Sequence, residues 1–222
     1  MWKELGHFFA NAPGVLCLKA RLSQEALYDV VMERMDVAGL GRERERLVHD
    51  VRGAVLEVGC GTGLMFRHYH MDVDLTALEL DARFLRVAGE RVHDHGVRVR
   101  LIQGDATKLP FDDGSFDFVV VALMLCSVPE PAAVLREIRR VLRRGGELRL
   151  LEHVRSPGRV AGRLMDLVDP AWLVLNGQGC HLNRDPGRAL VETGFRVVEE
   201  RALQIFSTAL PAFPMRAIRA VP

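Results

Sequence analysis

The run Val55-Leu56-Glu57-Val58-Gly59-Cys60-Gly61-Thr62-Gly63 sets a short apolar stretch against three glycines at alternate positions. Such a turn lets a ligand approach the backbone closely and aims helix-start N–H groups at a carboxylate or phosphate. The dinucleotide fingerprint Gly-x-Gly-x-x-Gly would need glycine at 64, where Leu64 stands, and no Gly-Lys-Ser/Thr follows, so the P-loop is excluded as well. Sixteen residues after Gly63 a second apolar run ends at Glu79-Leu80, where an acidic side chain can accept from both hydroxyls of a ribose. A third ends in Gln103-Gly104-Asp105-Ala106. There the carboxylate can accept from an exocyclic adenine amine, and Gly104 admits a flat ring. Sites at three successive strand ends, on the carboxyl edge of one sheet, make a nucleoside pocket. Glu57, a carboxylate inside the first run, is costly to bury unless it is bonded, which assigns it to anchoring the loop or the ligand. Cys60 fills an x position of the loop rather than reacting.

Further candidates follow the later strands. Cys126 lies just past the fourth apolar run and is a candidate to line a substrate pocket. His153 ends the fifth run at the same edge, and an ordinary imidazole pKa of about 6.5 suits it to take a proton near neutrality. Asp169, Trp172, His181 and Asn183 cluster in the segment beyond. Asp169 is a second candidate base, although Asp169-Pro170 also reads as the start of a turn or helix. His68-x-His70 and His93-x-His95 have no third ligand at suitable spacing, and no Cys-x-x-Cys is formed by Cys17, Cys60, Cys126 and Cys180. No metal site is expected.

These residues need a scaffold that delivers strand ends to one edge. From residue 54 onward short β-branched runs alternate with amphipathic stretches, the pattern of a mostly parallel sheet covered by helices on both faces. The spacing predicts strands over Ala54 to Val58, Leu75 to Glu79, Val97 to Gln103, Phe116 to Ala122 and Glu147 to Glu152, with two more over Phe195 to Ala202 and Met215 to Val221. The clearest helix is Ala132 to Arg144, where Val134, Leu135, Ile138, Val141 and Leu142 form an apolar stripe. Arg136, Arg139, Arg140, Arg143 and Arg144 then share its polar face, and Gly145-Gly146 ends it. Asp81 reads as the N-cap of a helix to about Arg91, and Ser23 to Met35 as a capped helix in the first 52 residues. The expected organisation is a helical lid over 1–52 and one α/β domain over 53–222. Substrate-facing inserts fall at 155–185, which includes a Trp-bearing loop, and at 203–214.

The chain has 222 residues, formal net charge +1 and 49% hydrophobic residues. That supports a sizeable core and removes the strong positive field of a nucleic-acid binder. Of the 30 basic residues 27 are arginines, which reads as solvated surface rather than phosphate recognition. The longest unbroken apolar run, Phe118 to Cys126, has nine residues, about half of what a membrane-crossing helix needs. Met1 to Ala20 is interrupted by Asn11, Pro13 and Gly14 and carries no signal-peptide core. With four scattered cysteines, the expectation is a cytoplasmic protein, with peripheral contact at a membrane surface left open. No motif specifies a subunit count.

VLEVGCGTG, ALELD, GDATKLPF, SFDFVVVALMLCSV and VLREIRRVLRRGGELRLLEHVR, in that order over residues 53–155, resemble the successive motifs of class I S-adenosylmethionine-dependent methyltransferases of the type 11 group. ALMLCSV, LLEHV, LVDPAWLVL with GCHLNRD, and GFRVVEE extend the likeness to about residue 200. They are similar to the small methyltransferase-like group that includes alkyl-thiol methyltransferases. The resemblance implies a Rossmann-like seven-stranded sheet with its last strand antiparallel. Its cofactor would be S-adenosylmethionine, leaving S-adenosylhomocysteine as product. Carried over position by position, Gly59, Gly61 and Gly63 line the methionine part, Glu79 the ribose and Asp105 the adenine, with Glu57, Cys60, Thr62, Leu80, Gly104 and Ala106 also counted in the cofactor site. The backbone at Ala122 and Leu123 holds the amino-acid end. The implied acceptor is a small, fairly apolar nucleophile, a thiol first, with a lipid amine or a quinone ring as the alternative. A protein that binds S-adenosylmethionine without turnover is the non-enzymatic reading. Leu167, Val168, Trp172, Leu173, Leu175, Ile205 and Phe206 suggest an apolar pocket rim.

Overall fold

A computed structural model describes residues 22–94, 96–176, 179–205 and 214–222. The order along the chain is α1 (Gln24–Met35), a π-helical turn (Asp36–Leu40), α2 (Gly41–Val48), β1 (Gly53–Val58), β2 (Val73–Glu79), α3 (Ala82–Arg91), β3 (Val99–Gln103), β4 (Phe116–Ala122), α4 (Pro131–Val141), β5 (Leu142–His153), α5 (Arg159–Asn176), α6 (Pro186–Glu192), β6 (Arg196–Gln204) and β7 (Pro214–Val221). The seven strands form one sheet in the order β3-β2-β1-β4-β5-β7-β6. All neighbours are parallel except β7, which is antiparallel to both β5 and β6. This is the expected α/β class, last strand included. The chain steps outward from β1 to β2 and β3, then returns to place β4 on β1's other side. The carboxyl ends of β1 and β4 therefore flank the topological switch point, where open α/β sheets bind ligands.

Alternation along the strands divides the core. Val55, Leu75, Ala77, Val120, Ala122 and Leu151 belong to a cluster with Met32, Met35, Leu47 and Val48 of α1 and α2. Leu56, Val58, Leu78, Val119, Val121, Leu148 and Leu150 belong to the other, with the α4 stripe Val134, Leu135, Ile138 and Val141 and with Leu190 of α6. Burying both faces explains why these parallel strands lack polar alternation.

Three expectations are corrected. First, α4 ends at Val141, because Leu142 turns extended (φ −72°, ψ 135°) and pairs with Phe116. Arg143 and Arg144 thus belong to β5, Arg143 bonding Asp117 at 2.6 Å, and only Arg136, Arg139 and Arg140 lie on α4. Second, Trp172 sits in α5, not in a loop. Third, Asp169-Pro170 opens neither turn nor helix but lies inside α5, where the proline forfeits one backbone hydrogen bond. Phe206 and most of the 203–214 insert lie outside the described residues, as do Met1 to Ala20. No helix among the described residues is long and apolar enough to cross a membrane.

Candidate active site

The glycine loop leaves β1 through left-handed backbone at Gly59 and Gly61 (φ 73° and 56°). A Cβ on Gly59 would lie 2.3 Å from Met124 Cγ, whereas one on Gly61 would meet nothing nearer than Tyr28 at 3.8 Å. The first glycine is required by packing against the β4 loop, and the second leaves room for a ligand. Neighbouring strand ends fix the loop. Gly59 and Cys60 donate to the Leu78 carbonyl at 2.8 and 3.1 Å, and Gly61 N–H donates to Glu79 Oε2 at 2.9 Å. The other Glu79 oxygen accepts from Leu80 and Asp81 at 2.9 and 3.0 Å. Gly104 donates to the Glu79 carbonyl at 3.0 Å, so the three strand ends singled out by sequence are one connected edge. Asp105 accepts from the backbone and hydroxyl of Thr107, both at 2.8 Å, which holds its carboxyl below the usual range. Leu80 is exposed, and Ala106 packs at the margin of the core.

Glu57 is 2% exposed, and its Oε2 has no hydrogen-bond partner. Burial pushes its pKa up to about 8, against the opposing influence of the Tyr69 hydroxyl and Arg44. Cys60 is buried beside it, and burial together with Glu57 and Glu79 pushes this thiol well up, which rules against a reactive thiolate. An unpartnered buried carboxylate oxygen, an acidic strand end for a diol and a second one for an amine are acceptors that a nucleoside with an ammonium-bearing tail would satisfy.

Two residues that no sequence pattern singled out cover the loop. Tyr28 of α1 packs edge-on against Phe84, ring centroids 5.6 Å apart, and lies against Gly61. Burial pushes its pKa up to about 12. Asp29 accepts from the Thr62 hydroxyl at 2.6 Å and from Arg91 at 2.7 Å, while Arg91 also donates to the Thr62 carbonyl at 2.7 Å. These bonds fasten α1 to the loop across 33 residues.

At the end of β4 the chain turns through Leu123, the one non-glycine residue among those described with left-handed φ (60°). Its N–H donates to Leu151 O at 2.8 Å. Glu152 Oε1 then accepts from both Met124 and Leu125 N–H at 2.8 Å. A buried carboxylate thus holds a conformation that costs a β-carbon residue about 1 kcal/mol or more. Beyond this turn is a cavity of about 280 Å³, lined by Leu125, Cys126, Pro131, Glu152, His153 and Asn183 among others.

His153, 7% exposed, meets Cys180, with Nε2 to Sγ at 2.7 Å. Burial opposes charge on the imidazole, but the Cys180 contact outweighs it and its pKa is raised. The Cys180 thiol is pulled down to about 5, chiefly by a hydrogen bond from Cys126 and then by His153, against its burial; Trp172 adds a further hydrogen bond. Cys126, the buried donor of that bond, is pushed well up. Both oxygens of Asp169 are engaged, one accepting from Leu182 N–H at 2.6 Å, the other 2.8 Å from His181 Nδ1. Asp169 therefore orients the His181 ring, and its reach to a substrate proton runs through that imidazole. The fold brings Cys126, His153, Asp169, Trp172, His181 and Asn183 to one place, together with Cys180, which sequence spacing did not mark. Leu167 and Val168 turn outward instead, at 77% and 39% exposure.

Comparison with known proteins agrees with this geometry. Residues 56–150 match the family described as methyltransferase domain. The chain is 36% identical over 151 residues to thiol S-methyltransferase TMT1B of Homo sapiens, covering 66% of this chain and 61% of that protein. It is 30% identical over 182 residues to the ubiquinone/menaquinone biosynthesis C-methyltransferase UbiE of Azotobacter vinelandii, covering 77% and 72%. In fold it is similar to a SAM-dependent methyltransferase from Methanosarcina mazei, at TM-score 0.58 and 22% identity over 75% of this chain and 91% of the other.

Proposed function

Because the chain belongs to the class I S-adenosylmethionine-dependent methyltransferases, we propose that it methylates the sulfur of a small, fairly apolar thiol. The observation that carries this reading is the cavity of about 280 Å³ at the ends of β4 and β5. Its size suits a small acceptor, and Leu125, Cys126, Pro131, Pro186 and Ala189 give it an apolar share beside the charged Glu152, Arg184, Asp185, Arg188 and Glu192. The human relative's name supports sulfur as the acceptor atom.

S-adenosylmethionine, when bound, supplies a methyl group already activated on a sulfonium. What remains for the protein is alignment and exclusion of water. Glu79 would hold the ribose, Asp105 the adenine beside Gly104, Glu57 and the glycine loop the methionine end, and the Leu123 turn the rim next to the acceptor. Of the lid expected over 1–52, the described helix α1 lies against the glycine loop, with Tyr28 over Gly61. A thiol of ordinary pKa about 8.5 must lose its proton. We assign that proton to the Asp169-oriented imidazole of His181, whose backbone N–H holds the carbonyl of the cavity residue Cys126.

The test is incubation with methyl-labelled S-adenosylmethionine and a pooled panel of thiols, amines, phospholipids and quinols, the product identified by mass spectrometry. A labelled thioether is expected; label only on nitrogen or carbon, or none, overturns thiol transfer. The relative named as a C-methyltransferase over 182 residues makes ring-carbon methylation of a quinone the second reading, and the same panel separates the two. Cytoplasmic location with peripheral membrane contact is also proposed. Exposed Val160, Leu164, Leu167 and Val174 along α5 support it, and flotation with anionic vesicles tests it.

A further inference from the structure

Cys126, His153 and Cys180 form a cluster that direct methyl transfer to a free nucleophile does not need. Their ligand atoms, two sulfurs and one imidazole nitrogen, all lie within 4.8 Å of one another. They come from three separate pieces of the fold: the loop after β4, the end of β5 and the segment after α5. The pieces are bonded together, His181 N–H donating to the Cys126 carbonyl at 2.9 Å and Asn176 Nδ2 donating to the Cys180 carbonyl at 3.0 Å.

Tetrahedral zinc, with bonds of about 2.0 to 2.3 Å, spaces its ligands by about 3.5 to 3.8 Å, so the His153 Nε2 to Cys180 Sγ hydrogen bond of 2.7 Å must open by about 1 Å as the ion replaces its proton. A Cys₂His set is one of those seen in zinc enzymes that keep an open fourth position. Two of the three donors, Cys126 and His153, line the cavity assigned to the acceptor, so that position would face it. We infer that Cys126, His153 and Cys180 bind a zinc-class divalent cation whose open fourth position takes the acceptor thiol as thiolate. The metal site stands on the donor geometry alone; the thiol as fourth ligand rests on the proposed S-methylation. In the binding step the substrate S–H bond breaks, a sulfur–metal bond forms, the water on the fourth position leaves, and the proton passes through His181, the base already assigned, to solvent. Nothing is oxidised or reduced. A low-charge thiolate is thereby prepared at neutral pH without a strong base, as bound water is prepared in other zinc sites.

The experiment uses the full chain, reduced, loaded with zinc or cobalt(II) and dialysed. About one equivalent of metal per chain is expected, falling below about 0.2 in Cys126→Ser and in Cys180→Ser. The cobalt form should show sulfur-to-cobalt charge-transfer absorption and intense tetrahedral ligand-field bands. Adding an alkyl thiol without S-adenosylmethionine should shift those bands, and an alkyl alcohol should not. Circular dichroism and S-adenosylmethionine binding show whether each variant is folded. Substoichiometric metal in the folded parent, metal retained in both folded serine variants, or a spectrum without charge transfer overturns the site. Bound cobalt with bands indifferent to thiol overturns the fourth-ligand assignment. Metal bound and perturbed by thiol, with no thioether formed in the labelled panel, instead counts against thiol transfer and leaves the site standing.

Discussion

Glu79 Oε2 accepts the Gly61 backbone N–H at 2.9 Å, so the acidic end of β2 holds the glycine loop that follows β1. One carboxylate therefore shapes the pocket and is also the assigned ribose acceptor. Glu79→Ala removes both roles. With charge-assisted hydrogen bonds contributing about 1.5 to 3 kcal/mol each, S-adenosylmethionine affinity should fall at least about 10- to 100-fold. Calorimetric titration reads the loss, and hydrogen exchange should accelerate at Gly61. Unchanged exchange there would separate the two roles and contradict the coupling.

Glu57 makes binding pH-dependent with a defined sign. With its pKa raised from about 4.5 to about 8, the folded protein holds a proton there at pH 7 that the unfolded chain has lost. Stability therefore falls as pH rises from about 4.5 to about 8 and levels off above. Glu57→Gln should gain stability over the parent most strongly above pH 8 and lose that advantage toward pH 4.5, as thermal unfolding across pH would record.

A cationic ammonium placed against Glu57 favours its ionised form. Binding S-adenosylmethionine at pH 7 should then release close to one proton from the parent and none from Glu57→Gln. Titrations in buffers of different ionisation enthalpy measure this, and equal enthalpies in the parent would remove Glu57 from the cofactor site.

Glu152 bears on the Leu123 turn through one oxygen and two N–H donors. Glu152→Gln keeps that oxygen and should fold, whereas Glu152→Ala leaves two buried donors without an acceptor and should cost about 2 to 5 kcal/mol. Denaturant unfolding of the pair decides it, near-equal midpoints being the contrary result.

Asp169→Asn preserves an acceptor for Leu182 N–H but removes the carboxylate from His181. kcat with a thiol acceptor should drop about 100-fold while S-adenosylmethionine affinity holds. A matching loss in both would make Asp169 a packing residue only.

Local signals carried the strand-end edge proposed to hold the cofactor. Alternate glycines, Glu79 and Asp105 stand at strand ends because buried β-branched runs stop there, and the α4 stripe is readable at helical spacing. What escaped depends on contacts distant in sequence. Arg143 and Arg144 continue a helical pattern until Leu142 pairs with Phe116, a preference that only the finished sheet expresses. Pro170 reads as a breaker, yet α5 runs through it. Cys126 and Cys180 are 54 residues apart, with no spacing rule to join them. Tyr28 and Asp29 are ordinary helix residues until Thr62 and Arg91 arrive beneath them.

That last contact bears on the tempo of the catalytic cycle. Asp29, Thr62 and Arg91 tie α1 to the glycine loop, and Tyr28 rests on Gly61. With a nucleoside held by that loop as proposed, opening of the clasp would gate its departure, and three side chains remote from the transferred methyl would set how long it lingers. Loosening the clasp would hasten exchange of spent for fresh nucleoside, at the cost of admitting water to the reacting sulfur.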